Sequence, residues 1–449
     1  MSSPLTMQER LALGRKQRKQ MRRVDLAIWQ EKQRRRSPLT LMKESMSGRL
    51  PALVTLKYER MKASPFGFFR GAVPVMAYDL SLLGHTDIVC QLCGDAHVRN
   101  LGAFAGPDGR LIFDINDFDE TIPGPFEWDV RRLVTSIVLA GREAGATDAR
   151  CRDAGAWCLS RYRKLILNLA KMPVLEAARY QVHRLRGVAP VSEILRKAER
   201  STPLHTLSVL TAPEKRGARG DPGGTGRMFK SAPPLLTRVK AAEEKAILDS
   251  LGTYRESLLP ERRHFLTQYR PVDVAFKVVG TGSVGLRDYC VYMEGNGAED
   301  PLFLQIKEEV ESGYAPYLRG TSKKRMQPKK RMHEGRRAAE GQRAMQLQSD
   351  PSLGWTTIVG RDYLVRQLND HKASIDVEDL RAQGLIEYAG VCGEMLARGH
   401  ARSGDACVLA GYIGNSRKFD TAVMRFALAY ADQTEQDWTA LVRSLNKGN

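Results

Sequence analysis

The sequence predicts an α+β protein with a small antiparallel-sheet lobe and a larger helical lobe, and two observations favour this fold class. Apolar residues recur at helical spacing over residues 128–145 and 154–172, and again in the C-terminal part of the chain. Strand-like apolar runs occupy residues 274–279, 286–293 and 301–307, with glycine-containing turns between them. The helical patterns outnumber the strand patterns, which places most of the chain in the helical lobe.

Composition limits the class of protein further. The chain has 449 residues, of which 42% are hydrophobic and 27% charged, as is typical of a soluble globular protein with two or three lobes. It contains no apolar run near the ~20 residues that a membrane span requires, and no apolar signal region stands at its N-terminus. We therefore expect a cytoplasmic protein without a membrane span.

The cysteines do not predict a disulfide framework, because there are seven of them in a long chain. Cys90 and Cys93 form a C-x-x-C pair, but no second pair has matching spacing. A zinc site stays open as an alternative, while buried thiols in a strand are the favoured interpretation.

The most informative stretch is residues 92–129, LCGDAHVRNLGAFAGPDGRLIFDINDFDETIPGPFEWD. Two strand-like runs, residues 87–93 and 111–113, are each followed by polar residues, and we expect a turn at residues 106–109 to join them. The first polar group is Asp95, His97 and Asn100, and the second is Asp114, Asn116, Asp117, Asp119 and Glu120. Groups at the ends of adjacent strands can converge, and carboxylate and amide oxygens suit Mg²⁺.

The spacing in this stretch is that of a kinase catalytic loop. Asp95 and Asn100 are five residues apart, where kinases have the aspartate that orients the nucleophile and an asparagine that binds metal. Asp117 then opens a variant of the Asp-Phe-Gly motif, with Asp119 or Asp114 as alternative metal ligands. The order resembles small-molecule kinases of the aminoglycoside and choline phosphotransferase type, in which an aspartate at the position of Asp129 anchors the next helix. The competing interpretation is a polar loop with surface acids.

A second informative region contains the glycine-rich segment GTGSVG, residues 280–285. It stands between two predicted strands, which favours the phosphate-binding hairpin of kinases over a dinucleotide-binding turn. We expect the backbone of Gly280, Gly282, Ser283 and Gly285 to hold the phosphates of ATP. Lys307 ends the next strand, where kinases have the lysine that contacts the α- and β-phosphates. The alternative for Lys307 alone is a surface lysine.

That lysine requires an acidic partner from a helix, and the pattern of residues 334–348 predicts one. Glu340 lies near its middle and is the expected partner of Lys307. Glu308, Glu309 and Glu311 are nearer in sequence but stand at or just after the strand end. Residues 363–368 are expected to run into a hinge whose backbone pairs with adenine.

The order of these motifs is rotated, because the catalytic loop precedes the glycine hairpin instead of following it. If the N-terminal part of a standard kinase sequence is moved to its C-terminal end, the order of all these motifs is reproduced. The sequence therefore predicts a circularly permuted, protein-kinase-like two-lobed fold. The expected parts are a basic N-terminal arm (1–49), the catalytic-loop part of the helical lobe (50–210), a linker or lid with a helix (211–262), the nucleotide-binding sheet lobe (263–370) and C-terminal helices that complete the helical lobe (371–449).

The formal charge of +19 permits an anionic partner, and residues 10–36 are especially rich in Lys and Arg. This arm is expected to be a basic helix or a disordered tail, and a solvated face is the favoured interpretation. Pro65 and Gly67 are expected to break any helix before Arg70. The Arg70 guanidinium could bind a phosphate or carboxylate, or it could pair with a structural acid; both remain open.

Motifs along nearly all of residues 50–440 resemble the uncharacterised bacterial family known as domain of unknown function 2252. They are SPFGFFRG, CGDAHVRNLG, DINDFDET, GTGSVG, LQIKE, EGQRAMQ, VRQLND and ARGHARSGD. The resemblance implies membership of the family but brings no reaction with it.

The residues themselves predict an ATP- and Mg²⁺-dependent phosphotransferase that acts on a hydroxyl acceptor. Asp95 would orient the hydroxyl, His97 would brace the loop, and Asn100 and Asp117 would hold metal. Transfer of AMP by the same residue types is one alternative, and a non-catalytic nucleotide-binding module is another. A nucleic-acid-binding protein acting through the basic arm is a third, although that arm lacks a reading motif.

Overall fold

The computed structural model describes residues 4–182, 185–213, 226–278, 280, 282–297, 299–318, 331–368 and 371–447. Helices make up most of these residues. In chain order they are α1 Met7–Gln20, α2 Pro38–Ser45, α3 Pro51–Lys62, α4 Pro65–Gly71, α5 Val73–Ser81, α6 Phe126–Glu143, α7 Asp148–Leu169, α8 Val174–Arg179, α9 Ala189–Arg200, α10 Pro203–Leu210, α11 Ala241–Asp249, α12 Leu251–Ser257, α13 Pro260–Leu266, α14 Ala315–Leu318, α15 Glu334–Met345, α16 Gln383–Ser403, α17 Ala406–Ile413 and α18 Lys418–Lys447.

The strands form several small antiparallel sheets, so the predicted α+β class is confirmed. They are β1 Val89–Leu92, β2 Leu101–Ala105, β3 Leu111–Ile115, β4 Ile122–Pro125, β5 Thr211–Pro213, β6 Arg227–Phe229, β7 Leu236–Arg238, β8 Arg270–Lys277, β9 Asp288–Glu294, β10 Pro301–Glu308, β11 Gly354–Ile358, β12 Arg361–Gln367 and β13 Ala373–Ser374.

The largest sheet has six strands in the order β11-β12-β10-β9-β8-β7. Successive side chains along its strands point to opposite faces of the sheet, and apolar side chains lie on both faces. Other elements cover one face and part of the other. Helices α11 and α12 cover one face, where Tyr254 packs among strand residues such as Val291 and Val365. Residues of α10 and β6 cover part of the other, through Leu207 and Phe229. Lys307 of β10 lies in the remaining, polar part of this second face and points to the candidate site.

Two small sheets carry the informative stretch of the sequence. Strand β1 pairs with β4, and β2 pairs with both β3 and β13. The predicted turn at residues 106–109 therefore joins β2 to β3, whereas the sequence analysis had it joining the strand before Asp95 to β3. That expectation was wrong because β2 was missed: its residues Leu101–Ala105 include a glycine and two alanines, which give a weak strand signal.

Beneath these sheets lies a helical region whose core is one large apolar cluster. Helix α6 is buried along almost its whole length, and α7 and α16 pack side by side against it. Gly393 of α16 faces the backbone of Cys158 on α7, where an added Cβ would come within 2.2 Å of the carbonyl oxygen. The helices beneath the loop that carries Asp95 are therefore closely packed.

The basic N-terminal segment packs onto the helical region instead of extending from it as a tail. Helix α1 crosses α17 at Gly14 and Gly411, where the backbones lie too close for a side chain. Arg18 donates to the carbonyls of Gly411 and Tyr412. Arg34 is buried and pairs with Asp79 and with Asp437, whose carboxylate oxygen lies 2.8 Å away. Part of the positive charge that the sequence assigned to a solvated arm is therefore used within the fold.

The expectation that Pro65 and Gly67 break a helix before Arg70 was right for Pro65 and wrong for Gly67, because α3 ends at Lys62 and α4 begins at Pro65 and includes Gly67. Pro65 occupies the first turn of α4, where its missing N–H costs nothing, and Ser64 caps the helix by accepting from Gly67 N at 2.9 Å. Within the predicted linker or lid, residues 214–225 lie outside the described residues. Within the part of the chain that the structure describes, no helix has the length and apolarity to cross a membrane.

Candidate active site

The turn that carries Asp95 is fixed by its neighbours on both sides. Gly94 has φ +83°, and a Cβ at this position would lie 2.1 Å from the carbonyl oxygen of Glu120, so only glycine fits. Asp129, in the first turn of α6, accepts the backbone N–H groups of Cys93 at 2.8 Å and Gly94 at 3.0 Å. Asp129 thus anchors α6 to the loop, as the sequence analysis expected.

Asp95 is held by a guanidinium that the sequence analysis missed. Arg132 of α6 donates to the same carboxylate oxygen through Nη2 at 2.6 Å and Nε at 2.9 Å. His97 Nε2 lies 3.4 Å from the other oxygen. Burial alone would raise the pKa of Asp95, but the charges of Arg132 and His97 outweigh it and hold that pKa well below its usual range. The carboxylate is therefore ionised and fixed in direction.

His97 and Asn100 both brace this loop. The His97 ring is buried against the edge of Phe66, and burial lowers its pKa. Asn100 Nδ2 donates to the carbonyls of Asp95 at 3.0 Å and Asp117 at 2.9 Å, and its Oδ1 accepts Asp117 N–H at 2.7 Å. Asn100 therefore ties the two polar loops together. Its amide oxygen, predicted as a metal ligand, is already engaged by this backbone N–H.

Lys307 extends from β10 into a cluster of carboxylates. Its Nζ contacts Asp119 Oδ2 and lies 3.6 Å from Asp117 Oδ1, although the lysine and these acids are far apart in sequence. The structure therefore brings together the predicted phosphate-binding lysine and two of the predicted metal ligands. Glu309, just beyond the strand, is also buried next to this cluster and interacts with Lys307 electrostatically.

The carboxylates of this cluster are incompletely satisfied. One buried oxygen each of Asp117, Asp119 and Glu309 accepts no hydrogen bond from the described residues. Burial and the neighbouring Asp117 raise the pKa of Asp119 to about 6, although Lys307 opposes this. The acids repel each other in one small space, although Lys307, Arg366 and Arg337 all act on them as positive charges. The unsatisfied oxygens of Asp117 and Asp119 are of the kind that a bound cation uses as ligands.

The glycine-rich loop lines the same cleft. Gly280, Gly282 and Ser283 face a cavity that Asp95, Asn100, Asp117 and Asp119 also line. Gly285 is set back from it: its φ is +95°, and its carbonyl accepts Leu50 N–H at 2.7 Å.

Three cations of the N-terminal helices and their flanks bind carbonyl oxygens of this loop. Arg60 donates to Gly280, Lys57 donates to Gly282, and Arg49 Nη1 donates to Val284 at 2.6 Å. These contacts fix the position of the loop over the cleft. Sequence reasoning missed all three residues, because ordinary helix and loop positions gave no signal of what they bind.

Glu340 does not pair with Lys307, so that prediction was wrong. The Glu340 side chain is 44% exposed and binds Arg336 at 2.7 Å, one helical turn away on α15. The residue of α15 that reaches the cleft is Arg337, which donates to the carbonyls of Asp119, Thr121 and Val310 at 2.7–2.9 Å. Helix α15 thus holds the backbone around the acids, while Asp117 and Asp119 supply the charge opposite Lys307.

Asp114 is also absent from the cleft, and its predicted role as an alternative metal ligand was wrong. Its buried carboxylate pairs with Arg398 of α16, and its Oδ1 also accepts the N–H of Ile115 at 2.8 Å. The pair with Arg398 thus directs Asp114 to α16, while Asp117 and Asp119 after the strand line the cleft.

Mg²⁺ prefers oxygen ligands, and the cleft offers them on Asp117 and Asp119. Among the residues that the structure describes, no three His, Cys, Asp or Glu side chains are grouped as a ready metal site. Mg²⁺ bound with a nucleotide needs only one or two carboxylates, because phosphates and water complete its shell. The unsatisfied oxygens of Asp117 and Asp119 meet that requirement.

Fold and site together define an α+β protein with a polar cleft in which a buried lysine faces paired carboxylates beneath a glycine-rich loop. The profile of a family described as an uncharacterised protein conserved in bacteria (DUF2252) matches residues 49–444. The chain belongs to this family, which confirms the resemblance seen in the sequence motifs. No curated protein matches the chain. No solved structure matches it either.

Proposed function

We propose that the protein is an ATP- and Mg²⁺-dependent phosphotransferase with a two-lobed, circularly permuted, kinase-like fold. One observation carries the proposal: Lys307 meets Asp117 and Asp119 in a cleft that is also lined by the glycine-rich loop and Asp95. Phosphoryl transfer by kinases needs these four elements, namely a phosphate-binding loop, a lysine, metal-binding carboxylates and an aspartate for the acceptor.

The contacts of α16 support the permuted order. In standard kinases the helix that leads into the catalytic loop precedes it, whereas here α16 follows it by almost 300 residues. Even so, the C-terminal end of α16 meets the strand before the loop, where Gln91 N–H donates to Ser403 Oγ at 3.2 Å. His400 Nε2 lies 3.3 Å from Asp129, the residue that fixes the turn of Asp95.

Each group of residues in the cleft would have its own role in phosphoryl transfer. Lys307 and the backbone of the glycine-rich loop would bind the phosphates, and Asp117 with Asp119 would hold Mg²⁺. The metal would neutralise charge on the transferring phosphoryl group. Asp95, kept ionised and oriented by Arg132, would accept a hydrogen bond from the attacking hydroxyl. The bond to the γ-phosphorus would break at the leaving ADP and form at the acceptor oxygen, whose proton would leave through Asp95.

Incubation of the protein with cell extract and ATP, labelled separately at the α- and γ-phosphates, tests the proposal. We expect Mg²⁺-dependent transfer of the γ label to an acceptor, because the cleft fits phosphoryl transfer. Asp117→Asn and Lys307→Ala should each lower this transfer by about 10²-fold or more, as removal of a transition-state contact does. Asp108→Asn and Lys171→Ala, at exposed positions, are the matched controls.

Each outcome has one interpretation. Transfer of the α label would show that the protein transfers AMP, and not a phosphoryl group, in the same cleft. Nucleotide binding without transfer of either label would identify a non-catalytic binding module. Absence of nucleotide binding would overturn the assignment of the cleft.

A further inference from the structure

Arg70 is a cation in the cleft without an acid to pair with. It lies near the end of α4, packs against the ring of Phe66 with its guanidinium carbon 5.9 Å from the ring centre, and lines the cavity. Its buried Nε has no hydrogen-bond partner, and none of the described carboxylates forms an ion pair with its guanidinium. Burying an unpaired charge is costly, so such a group is typical of a site whose partner is a ligand.

Most of the other cations around the cleft, unlike Arg70, are bound to a partner. Arg132 is bound to Asp95, Lys307 to Asp119, and Arg49 to the carbonyl oxygen of Val284. Arg99, which also lines the cavity, has only a loose contact of 3.7 Å with Asp376 at the surface. Burial and the charge of Arg99 lower the pKa of Arg70 to about 10, so the Arg70 guanidinium remains charged at neutral pH.

Arg70 lies on the side of the cleft that holds Asp95. Its charge acts on His97, the ring beside Asp95, and Asp95 acts in turn on Arg70. The phosphates of a nucleotide already have Lys307, which lies beside Asp117 and Asp119. The Arg70 guanidinium instead packs on Phe66, whose ring contacts that of His97 beside Asp95. An anion bound by Arg70 would therefore lie next to Asp95 and belong to the molecule whose hydroxyl meets it.

We propose that the acceptor is a hydroxyl compound that carries a carboxylate or phosphate group, and that Arg70 binds this group with Arg99 at the rim. The inference rests on the proposed phosphotransferase function and adds the chemical class of its acceptor. A guanidinium suits both anions, because its planar donors match two oxygens at once.

Three probes that share a hydroxyl and differ in charge test the proposal: glycerol, glycerate and glycerol 3-phosphate. Each is titrated calorimetrically into the protein already saturated with Mg²⁺ and a non-hydrolysable ATP analogue, so that the nucleotide phosphates occupy their own site. We expect binding of at least one anionic probe and none of glycerol. Arg70→Gln should weaken that binding by about tenfold or more, as loss of a charged hydrogen bond does. Arg70→Lys should restore it only in part.

Arg110→Gln, on the exposed β2–β3 hairpin, is the matched control and should bind like the unaltered protein. If Arg70→Gln unfolds, Arg99→Gln at the rim takes its place and should weaken binding of the same probe.

Failure of both anions to bind, or equal binding by the Arg70 and Arg110 variants, would overturn the inference. Failure of the ATP analogue itself to bind would instead overturn the proposed function. If the anions bind only before the analogue is added, Arg70 belongs to the nucleotide phosphates and the inference is wrong.

Discussion

Two clusters of acids and cations lie in one cleft, and they are built differently. In the first, Asp95 receives two hydrogen bonds from Arg132, a side chain with no exposed surface. In the second, Asp117, Asp119 and Glu309 lie around Lys307, and each keeps a buried oxygen that accepts no hydrogen bond from the described residues. The first cluster is a closed pair, whereas the second keeps carboxylate oxygens that its neighbouring cations leave open.

The difference indicates different tasks for the same residue types. A closed pair fixes the direction of a carboxylate, which is what the orientation of an acceptor requires. An open cluster carries an electrostatic cost until a cation arrives, and that cost favours binding of the cation. The comparison therefore predicts that changes in the first cluster act mainly on stability, and changes in the second act mainly on ligand binding.

The largest effect is expected from breaking the closed pair with Arg132→Met. The substitution leaves Asp95, whose side chain is only 20% exposed, without its guanidinium partner, and it also removes the contact of the guanidinium with the ring of Phe69, 4.2 Å away. We expect the free energy of unfolding to fall by about 3–5 kcal/mol, the usual cost of breaking a buried ion pair. Urea denaturation of the variant and of the unaltered protein measures this fall in the free energy of unfolding. A loss as small as that of an exposed control such as Arg110→Met would show that the pair is not structural.

An intermediate effect is expected from Asn100→Asp, because Asn100 connects the two clusters. Its Nδ2 donates to the carbonyls of Asp95 and Asp117, and a carboxylate would present an acceptor to both. We expect a loss of about 2–3 kcal/mol in unfolding free energy, from two buried carbonyls left unsatisfied. Unchanged stability with tighter Mg²⁺ binding would instead restore Asn100 as a metal ligand, since aspartate is the stronger ligand.

The smallest effect is expected from Glu340→Ala on α15. The residue is exposed, and its pair with Arg336 spans one helical turn, where such pairs contribute only about 0.3–0.5 kcal/mol. Affinity for ATP should stay the same, because Asp117 and Asp119 are the acids opposite Lys307. Titration calorimetry with the variant checks this, and weakened ATP binding would return Glu340 to the role that the sequence analysis gave it.

Much of the fold and part of the site follow from the sequence. Helix α6 and strands β8 to β10 have clear periodicity, and the structure has them close to the predicted bounds. The order of Asp95, Asp117 and Lys307 along the chain was enough to predict that they share a cleft, since each stands at the end of a strand or in the loop after it.

The missed features depend on tertiary contacts that periodicity does not encode. Arg132 lies one turn after Asp129 on a helix, and only the position of α6 under the loop directs it to Asp95. Glu340 was chosen for its central place in the pattern of α15, but the rotation of that helix turns Arg337 inward. Strand β2 was missed because small residues give a weak pattern, and its pairing with β3 stabilises it instead.

The binding of ATP and Mg²⁺ in this cleft can be seen in a crystal structure with Mn²⁺ and a non-hydrolysable ATP analogue, because Mn²⁺ can replace Mg²⁺ and is visible by anomalous scattering. We expect an anomalous peak coordinated by Asp117 or Asp119, with the phosphates between Lys307 and the glycine-rich loop. A nucleotide bound elsewhere, or a cleft in which Lys307 and the acids keep their present contacts at saturating ligand, would contradict this expectation.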